Sequence, residues 1–300
     1  MICAIIDVGS NTIRMSVYEA EEGRFSVLFS KKETAGLAGY INKRVMSEEG
    51  IAEATRVLEG FRKALLYTKA DELHVFATAS LRNIDNSEYA ISKISADTGF
   101  EIELVSGQNE AELSFAGAVC ETPFDNGFLF DLGGGSTEIV GFENRKPDFV
   151  TSLEIGSLNL FKNHVERILP KKSEMDSIGE AIDKIFDSAE LPDDKKPLLV
   201  GVGGTARSLG KIMNAVGKHS KDNKNFSISE LNRTVEILEA RDEKARDLIL
   251  NKCPDRVHTI IPGAILVRSL AKKLESQSLH ISSYGVREGY LWKKVMKNTI

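Results

Sequence analysis

Two short stretches, 124 positions apart, constrain this chain more than any other feature in it. IIDVGSNTIRM (residues 5–15) and FDLGGGSTEI (residues 130–139) superimpose without a gap. Asp7 falls on Asp131, Gly9 on Gly133, Ser10 on Gly134, Thr12 on Ser136 and Arg14 on Glu138. Each stretch lies between β-rich runs, so each predicts a strand, a tight turn and a second strand. A unit built twice in one chain is the mark of an internal duplication.

The surrounding pattern supports this. ICAIIDV, TIRMSVYEA and FSVLFSKKE predict a three-strand antiparallel start. From Ser47, an N-cap, apolar residues recur at helical spacing through EEGIAEATRVLEGFRKALLYTKA. LHVFATA (strand), SEYAISKISADTG (helix), EIELVSG (strand) and NEAELSFAGAV (helix) complete the first cycle. Near Gly127 the cycle restarts with GFLFDLG, STEIVGFE and PDFVTSLEIG. A helix over LNLFKNHVERIL, a strand in KPLLVGVGG and a mostly helical remainder follow. LHISSYG and VREGYLWKKVMK predict a last strand and helix, and PKKSE and LPDDKKP read as polar loops or helix ends. Alternating strands and helices define an α/β class with partly parallel sheets. At 300 residues, two domains are expected.

A net charge of −5 offers no basic field for nucleic acid. A polyanionic substrate would therefore need a site that gathers its own cations or a metal. Cys3, Cys120 and Cys253 are few and widely separated, which fits a reducing compartment and no zinc frame. The apolar start is short and ends at an aspartate, unlike a signal peptide, and no run approaches the ~18 apolar residues of a membrane helix. The expectation is a cytoplasmic protein without membrane or nucleic-acid partners.

In each turn an aspartate ends a strand and small residues follow it. Gly133, Gly134 and Gly135 allow close backbone approach, and Ser136 and Thr137 add hydroxyls. Ser10, Asn11 and Thr12 do the same in the first copy. Successive amides in such turns form an anion-binding concavity. An aspartate beside it suits a hard cation such as Mg²⁺. Neither turn carries the lysine of a P-loop, and a strand rather than a helix follows GGGSTE, which excludes a dinucleotide fingerprint.

Together with ATASLRN, VSGQNEAELSFAGA, SLEIGSLNL, VGVGGTARSLG, IIPGAIL and SSYGVREGYL, these turns give the chain a resemblance to the exopolyphosphatase and guanosine pentaphosphate phosphohydrolase (Ppx/GppA) family of the actin-like ATPase superfold. The matching stretches run from residue 2 to 291. The resemblance implies two actin-like (ribonuclease H-like) lobes with an active-site cleft between them. Lobe I would span residues 1–120 with the helix at 285–300 packing back on it, and lobe II residues 121–284. It implies hydrolysis of the terminal phosphoanhydride of inorganic polyphosphate, with guanosine pentaphosphate as the rival substrate and Mg²⁺ (or Mn²⁺) as cofactor. A kinase or a non-catalytic alarmone sensor on the same fold remains open, because fold alone does not decide.

By the same resemblance Glu110 activates water. Asp131 and Glu138 serve metal and catalysis, with Asp7 as the metal-side partner of Asp131. Arg82 grips phosphate from a loop after a strand; bidentate guanidinium contacts suit that task. VGVGGTARSLG falls where the superfold's ATPases hold adenosine. His258 stands where many relatives carry aspartate, so a structural histidine is expected there, and Arg287 with Glu288 reads as an interdomain ion pair. Longer relatives append helical domains; the chain ends shortly after GVREG, so a preference for short polyphosphate is expected. A homodimer is the default assembly.

Overall fold

In the computed structural model, which describes residues 1–122 and 124–298, the chain forms two main sheets of the same wiring. Strands β1 (Ile2–Val8), β2 (Ile13–Glu21) and β3 (Arg24–Glu33) form an antiparallel meander. A small hairpin, β4 (Ile41–Asn42) and β5 (Val45–Met46), leads into α1 (Glu48–Leu65), where the Ser47 hydroxyl accepts from the Gly50 amide. β6 (Glu72–Ala77) lies parallel to β1, followed by α2 (Ala79–Arg82), α3 (Ser87–Thr98) and β7 (Ile102–Leu104). The sheet order is β3-β2-β1-β6-β7. Helix α4 (Gly107–Glu121) then crosses to the second half.

That half repeats the plan with β8 (Gly127–Leu132), β9 (Thr137–Glu143) and β10 (Lys146–Leu153). Helices α5 (Ser157–His164) and α6 (Lys172–Ser188) precede β11 (Leu198–Val202) and α7 (Gly203–Gly217). β12 (Asn225–Ser227), α8 (Ile228–Ala240), α9 (Glu243–Lys252), α10 (Ile260–Lys273), β13 (Ser278–Ile281) and α11 (Val286–Tyr290) complete it. Its sheet reads β10-β9-β8-β11-β13-β12. Five strands thus match the first sheet one for one, and β12 is an added edge. The α/β class and duplicated architecture expected from the sequence are what the chain adopts.

β1 and β8 are apolar on both faces because each is a central strand covered on both sides. One face of the first sheet packs Ile6, Val8 and Met15 against α1 and α3; the other packs Cys3, Ile5 and Tyr18 against α11. α4 serves both halves: Leu113 joins the first sheet's core, while Ala111, Phe115 and Val119 pack on the second. α4 and α11 cross backbone to backbone. A Cβ on Gly289 would sit 1.7 Å from the Leu113 carbonyl oxygen, and one on Gly117 2.1 Å from that of Gly285, so only glycine permits the crossing.

The fold departs from the sequence reading in four places. PKKSE is the helix end of the two readings it allowed, and the 17-residue α6, which buries Ile178, Ile182 and Phe186, was not foreseen. Its start is fixed by the Glu174 carboxylate, which accepts from the Lys171 amide at 2.6 Å. The helix read over 158–169 ends at His164. β12 was not foreseen, because three residues carry no periodic signal. Arg82 closes a one-turn helix rather than sitting in a loop. Cys3, Cys120 and Cys253 are free thiols, and among the described residues no helix is long and apolar enough to cross a membrane.

Candidate active site

The two turns meet. Each closes with the same hydrogen bond, Gly9 N to Thr12 O at 3.2 Å and Gly133 N to Ser136 O at 3.0 Å. The turn carbonyls are taken up behind: Ser10 O by Ala38 N, and Gly134 O by Leu158 N and Asn159 N. The amides of Ser10, Asn11, Gly134 and Gly135 find no acceptor among the described residues, and all four residues line one cavity of about 130 Å³. The glycines of the second turn do not need positive φ. Gly135 is the one pressed by the other jaw: a Cβ there would lie 2.8 Å from Ser10 Oγ, whereas one on Gly134 would be in ordinary contact with the Ser10 Cβ at 3.4 Å. One turn carries side chains and the other leaves room for them.

Glu110 projects into this cavity from the first turn of α4, whose N-terminus is capped by Ser106. Its Oε2 accepts from Arg82 Nη1 at 2.7 Å, and Arg82 Nη2 lies 3.6 Å from Glu138 Oε1. Arg82 Nη1 also donates to the Val105 carbonyl at 3.0 Å, which fixes the guanidinium behind the cavity wall. Burial raises the Glu110 carboxyl well above the usual carboxylate range, and the nearby Glu138 charge adds to this while Arg82 opposes it. Glu138 is pushed up to about 7 by burial and by Asp131. Four residues after Glu110 on the same helical face, Ser114 donates to Asp131 Oδ2.

The cavity gathers its own cations. Arg14 from β2, Arg207 from α7, Arg287 from α11 and Arg256 from the turn before α10 all line it. Burial and the proximity of Arg287 and Arg207 depress Arg14 to about 10. Arg207 is likewise lowered by burial and by Arg287. Burial would lower Arg287 too, but Glu288, Tyr18 and Asp7 hold it above its ordinary value. Arg14 and Arg207, both buried and both weakened by the Arg287 charge, are groups an anion would relieve. Arg287 donates to Asp7 Oδ2 at 3.2 Å and leaves its buried Nε without a partner. At the N-terminus of α7, a Cβ on Gly204 would overlap Arg256 Nη2 at 2.0 Å, so glycine lets the guanidinium lie across the helix end.

The donor set bears on a metal. Among the described residues no group of three or more His, Cys, Asp or Glu is placed to hold one. Mg²⁺, however, usually takes only one or two carboxylates and completes its shell with water and substrate phosphate. Asp7 and Asp131, at equivalent strand ends and both in the cavity wall, meet that requirement. Burial raises both carboxyls; at Asp7 the Arg287 and Arg14 charges oppose this and the Asp131 charge adds to it. A cation between them would reverse that repulsion.

Of the residues singled out in the sequence, Asp7, Ser10, Asn11, Thr12, Glu110, Asp131, Gly133, Gly134, Gly135 and Ser136 share the cavity. Arg82, Thr137 and Glu138 do not line it. Thr137 turns inward to donate to the Ile155 carbonyl at 2.6 Å, and Glu138 is 1 % exposed with its Oε1 accepting from Ser152. Arg82 stands behind Glu110. Arg207 and Arg256 went unremarked in the sequence, although GGTAR places Arg207 within a turn of a glycine-opened helix. Arg287 reads as a structural tie in the sequence but is a cavity residue. His258 stacks edge-on to Phe161 at 5.1 Å, with burial lowering its pKa.

Two sheets of one topology, meeting at paired glycine–hydroxyl turns with a carboxylate and four arginines in one cavity wall, have the makings of an anion site. The chain belongs to the Ppx/GppA phosphatase family, which it matches over residues 16–298. Members of that family are hydrolases of phosphoric anhydrides. Exopolyphosphatase 1 of Mycobacterium tuberculosis (strain ATCC 25618 / H37Rv) is 24% identical, covering 98% of this chain and 88% of that protein. Guanosine-5'-triphosphate,3'-diphosphate pyrophosphatase of Photobacterium profundum is 25% identical over 98% of this chain but 59% of its own length. The crystal structure of an exopolyphosphatase from Cytophaga hutchinsonii superimposes with a TM-score of 0.87 at 21% identity, covering 100% of this chain and 99% of that one.

Proposed function

We propose that this chain removes the terminal phosphate of inorganic polyphosphate by Mg²⁺-dependent hydrolysis. One observation carries the choice of substrate: four arginines and two anion turns surround a cavity whose described lining contains no aromatic side chain. Phosphates are served by cations and turn amides, while the lining offers no aromatic ring for a base to stack on.

The amides of the two turns and the Arg14 and Arg287 guanidiniums hold the terminal phosphoryl group and its neighbour. Arg82 occupies Glu110 Oε2, which leaves Oε1 to take a proton from a water aligned with the terminal phosphorus. The water oxygen bonds to that phosphorus, the bridging P–O bond breaks, and the bridging oxygen leaves on the shortened chain. Bound between Asp7 and Asp131, Mg²⁺ would neutralise charge on the transferring phosphoryl group. Glu138 acts from below, through its effect on the Glu110 carboxyl.

The test is colorimetric phosphate release with Mg²⁺ from triphosphate, long polyphosphate and guanosine pentaphosphate in parallel. Release from the inorganic chains supports the proposal. Release from guanosine pentaphosphate alone overturns the substrate, and release from none overturns the hydrolase assignment.

A further inference from the structure

The cross-strand register places one row of side chains across the first sheet. Asp7 lies opposite Arg14, and Arg14 lies opposite Lys32. Directly opposed residues share a face, so all three stand on the side that carries the cavity. With strands ~4.8 Å apart, the row runs about 10 Å from the catalytic strand to the sheet edge. The matching row of the second sheet reads Asp131, Glu138 and Ser152. Only the first sheet therefore offers an anion consecutive cations leading outward. Arg14 lines the cavity, and Lys32, one strand further out and beyond the lining, is half exposed.

Lys32 Nζ is paired at 2.6 Å with Asp255 Oδ2, which belongs to the other half of the chain. Asp255 adjoins Arg256, the cation that lines the cavity from the facing side. Lys32 thus continues outward from Arg14 towards the segment that carries Arg256, and Asp255 masks it. A substrate that ends at the turns has more phosphates behind it, and they need a cationic way out.

We propose that Lys32 is a substrate-positioning residue that binds the phosphates behind the terminal ones, exchanging Asp255 for substrate, and so makes affinity depend on chain length. This rests on the polyphosphate reading above. A terminal phosphate at the turns and a distal phosphate at Lys32 are bridged only by a chain long enough to span the row. Triphosphate meets the turns and the arginines; longer chains also meet Lys32.

The experiment measures kcat and KM for triphosphate and medium-chain polyphosphate with wild type, Lys32→Ala, Lys32→Arg and Asp255→Asn. For Lys32→Ala the ratio of KM on the long chain to KM on triphosphate should rise about three- to five-fold, the range for one solvent-exposed charge contact. Lys32→Arg should restore the wild-type ratio. Asp255→Asn, which unmasks Lys32, should lower the ratio. If both Ala and Asn variants shift the ratio in the same direction, the pair is only a clasp between the halves and the proposal falls. An unmoved ratio in Lys32→Ala also overturns it. Hydrolysis of neither chain by the wild type would overturn the substrate reading instead, which separates the two failures.

Discussion

The turn after β1 and the turn after β8 share an aspartate, a closing hydrogen bond and a place in the cavity wall, yet their next residues differ in kind. DVGSNTIR carries side chains into the cleft; DLGGGSTE removes them. The interlocking geometry explains the split, since the Ser10 hydroxyl occupies the space a Cβ on Gly135 would need. Further along, Arg14 and Glu138 occupy equivalent register positions with opposite charge, and so opposite duties. In the first sheet that row carries cations, Arg14 followed by Lys32. The second keeps its carboxylate below the wall, where it conditions Glu110 through the shared contact of Arg82. A duplicated scaffold became a two-sided site by letting each copy lose what the other supplies.

The largest expected effect removes the group that stands between the two turns. Glu110→Gln should cut kcat by about 10²–10⁴-fold, the range for a positioned general base, with phosphate binding largely retained. Steady-state kinetics paired with calorimetric titration of inorganic phosphate checks this. Near-normal turnover would remove Glu110 from the mechanism. Next in size is Arg14→Ala, which deletes the cation of the first row and should raise KM for triphosphate about ten-fold or more. Glu138→Gln, the same row position in the second lobe, should leave that KM nearer the wild type. Equal KM changes in the two variants would erase the division of labour.

Much of this was legible because the duplication is written in register. Asp7, Asp131, both turns and Glu110 could be placed from spacing and resemblance, and they share one cavity. The arginines were harder to see. Arg207 and Arg256 come from separate helical segments and converge only when α7 and the turn before α10 pack together, so no local pattern announces them. Thr137 and Glu138 show the reverse failure. Their place in the motif predicts cavity residues, but the strand begins at Thr137 in a sheet covered on both faces, so Thr137 is buried against the Ile155 carbonyl on one face and Glu138 beside Ser152 and Arg82 on the other. Helix α6 was lost because its charged N-terminus resembles a loop, and only the Glu174 carboxylate, accepting from the Lys171 and Glu166 amides, reveals how the helix start is held.

A smaller effect tests the fit between the jaws. Gly135→Ala should lower stability or kcat/KM by about 1–3 kcal/mol, the usual cost of overpacking. Adding Ser10→Gly should recover part of that loss, because the offending atom is Ser10 Oγ. Gly156→Ala gives the control: its Cβ would meet the Gly134 backbone at 2.4 Å, so Ser10→Gly should not rescue it. Rescue of both, or of neither, would mean that the turns do not interlock as described.

The smallest effect concerns pH, and it separates the two row positions most cleanly. Burial raises the Glu110 carboxyl, the Glu138 charge raises it further and Arg82 pulls it down. A general base must be ionised, so kcat/KM should fall as pH drops through the range in which this pair takes up protons. Glu138→Gln removes the neighbouring charge, which lowers the Glu110 pKa and should move the acid limb to lower pH by about one unit. Stability carries the matching sign. The folded-state value of Glu138, about 7, lies above the ordinary 4.5, so its contribution is full at low pH and lost as pH rises through about 7. The Gln variant cannot ionise, so its melting temperature relative to wild type should improve as pH is raised from about 4.5 to about 7 and level off above that. Arg14→Ala should leave the acid limb close to its wild-type position, since Arg14 is not among the groups that set the Glu110 carboxyl. If the limb moves for Arg14→Ala and not for Glu138→Gln, the roles given to the two lobes are reversed.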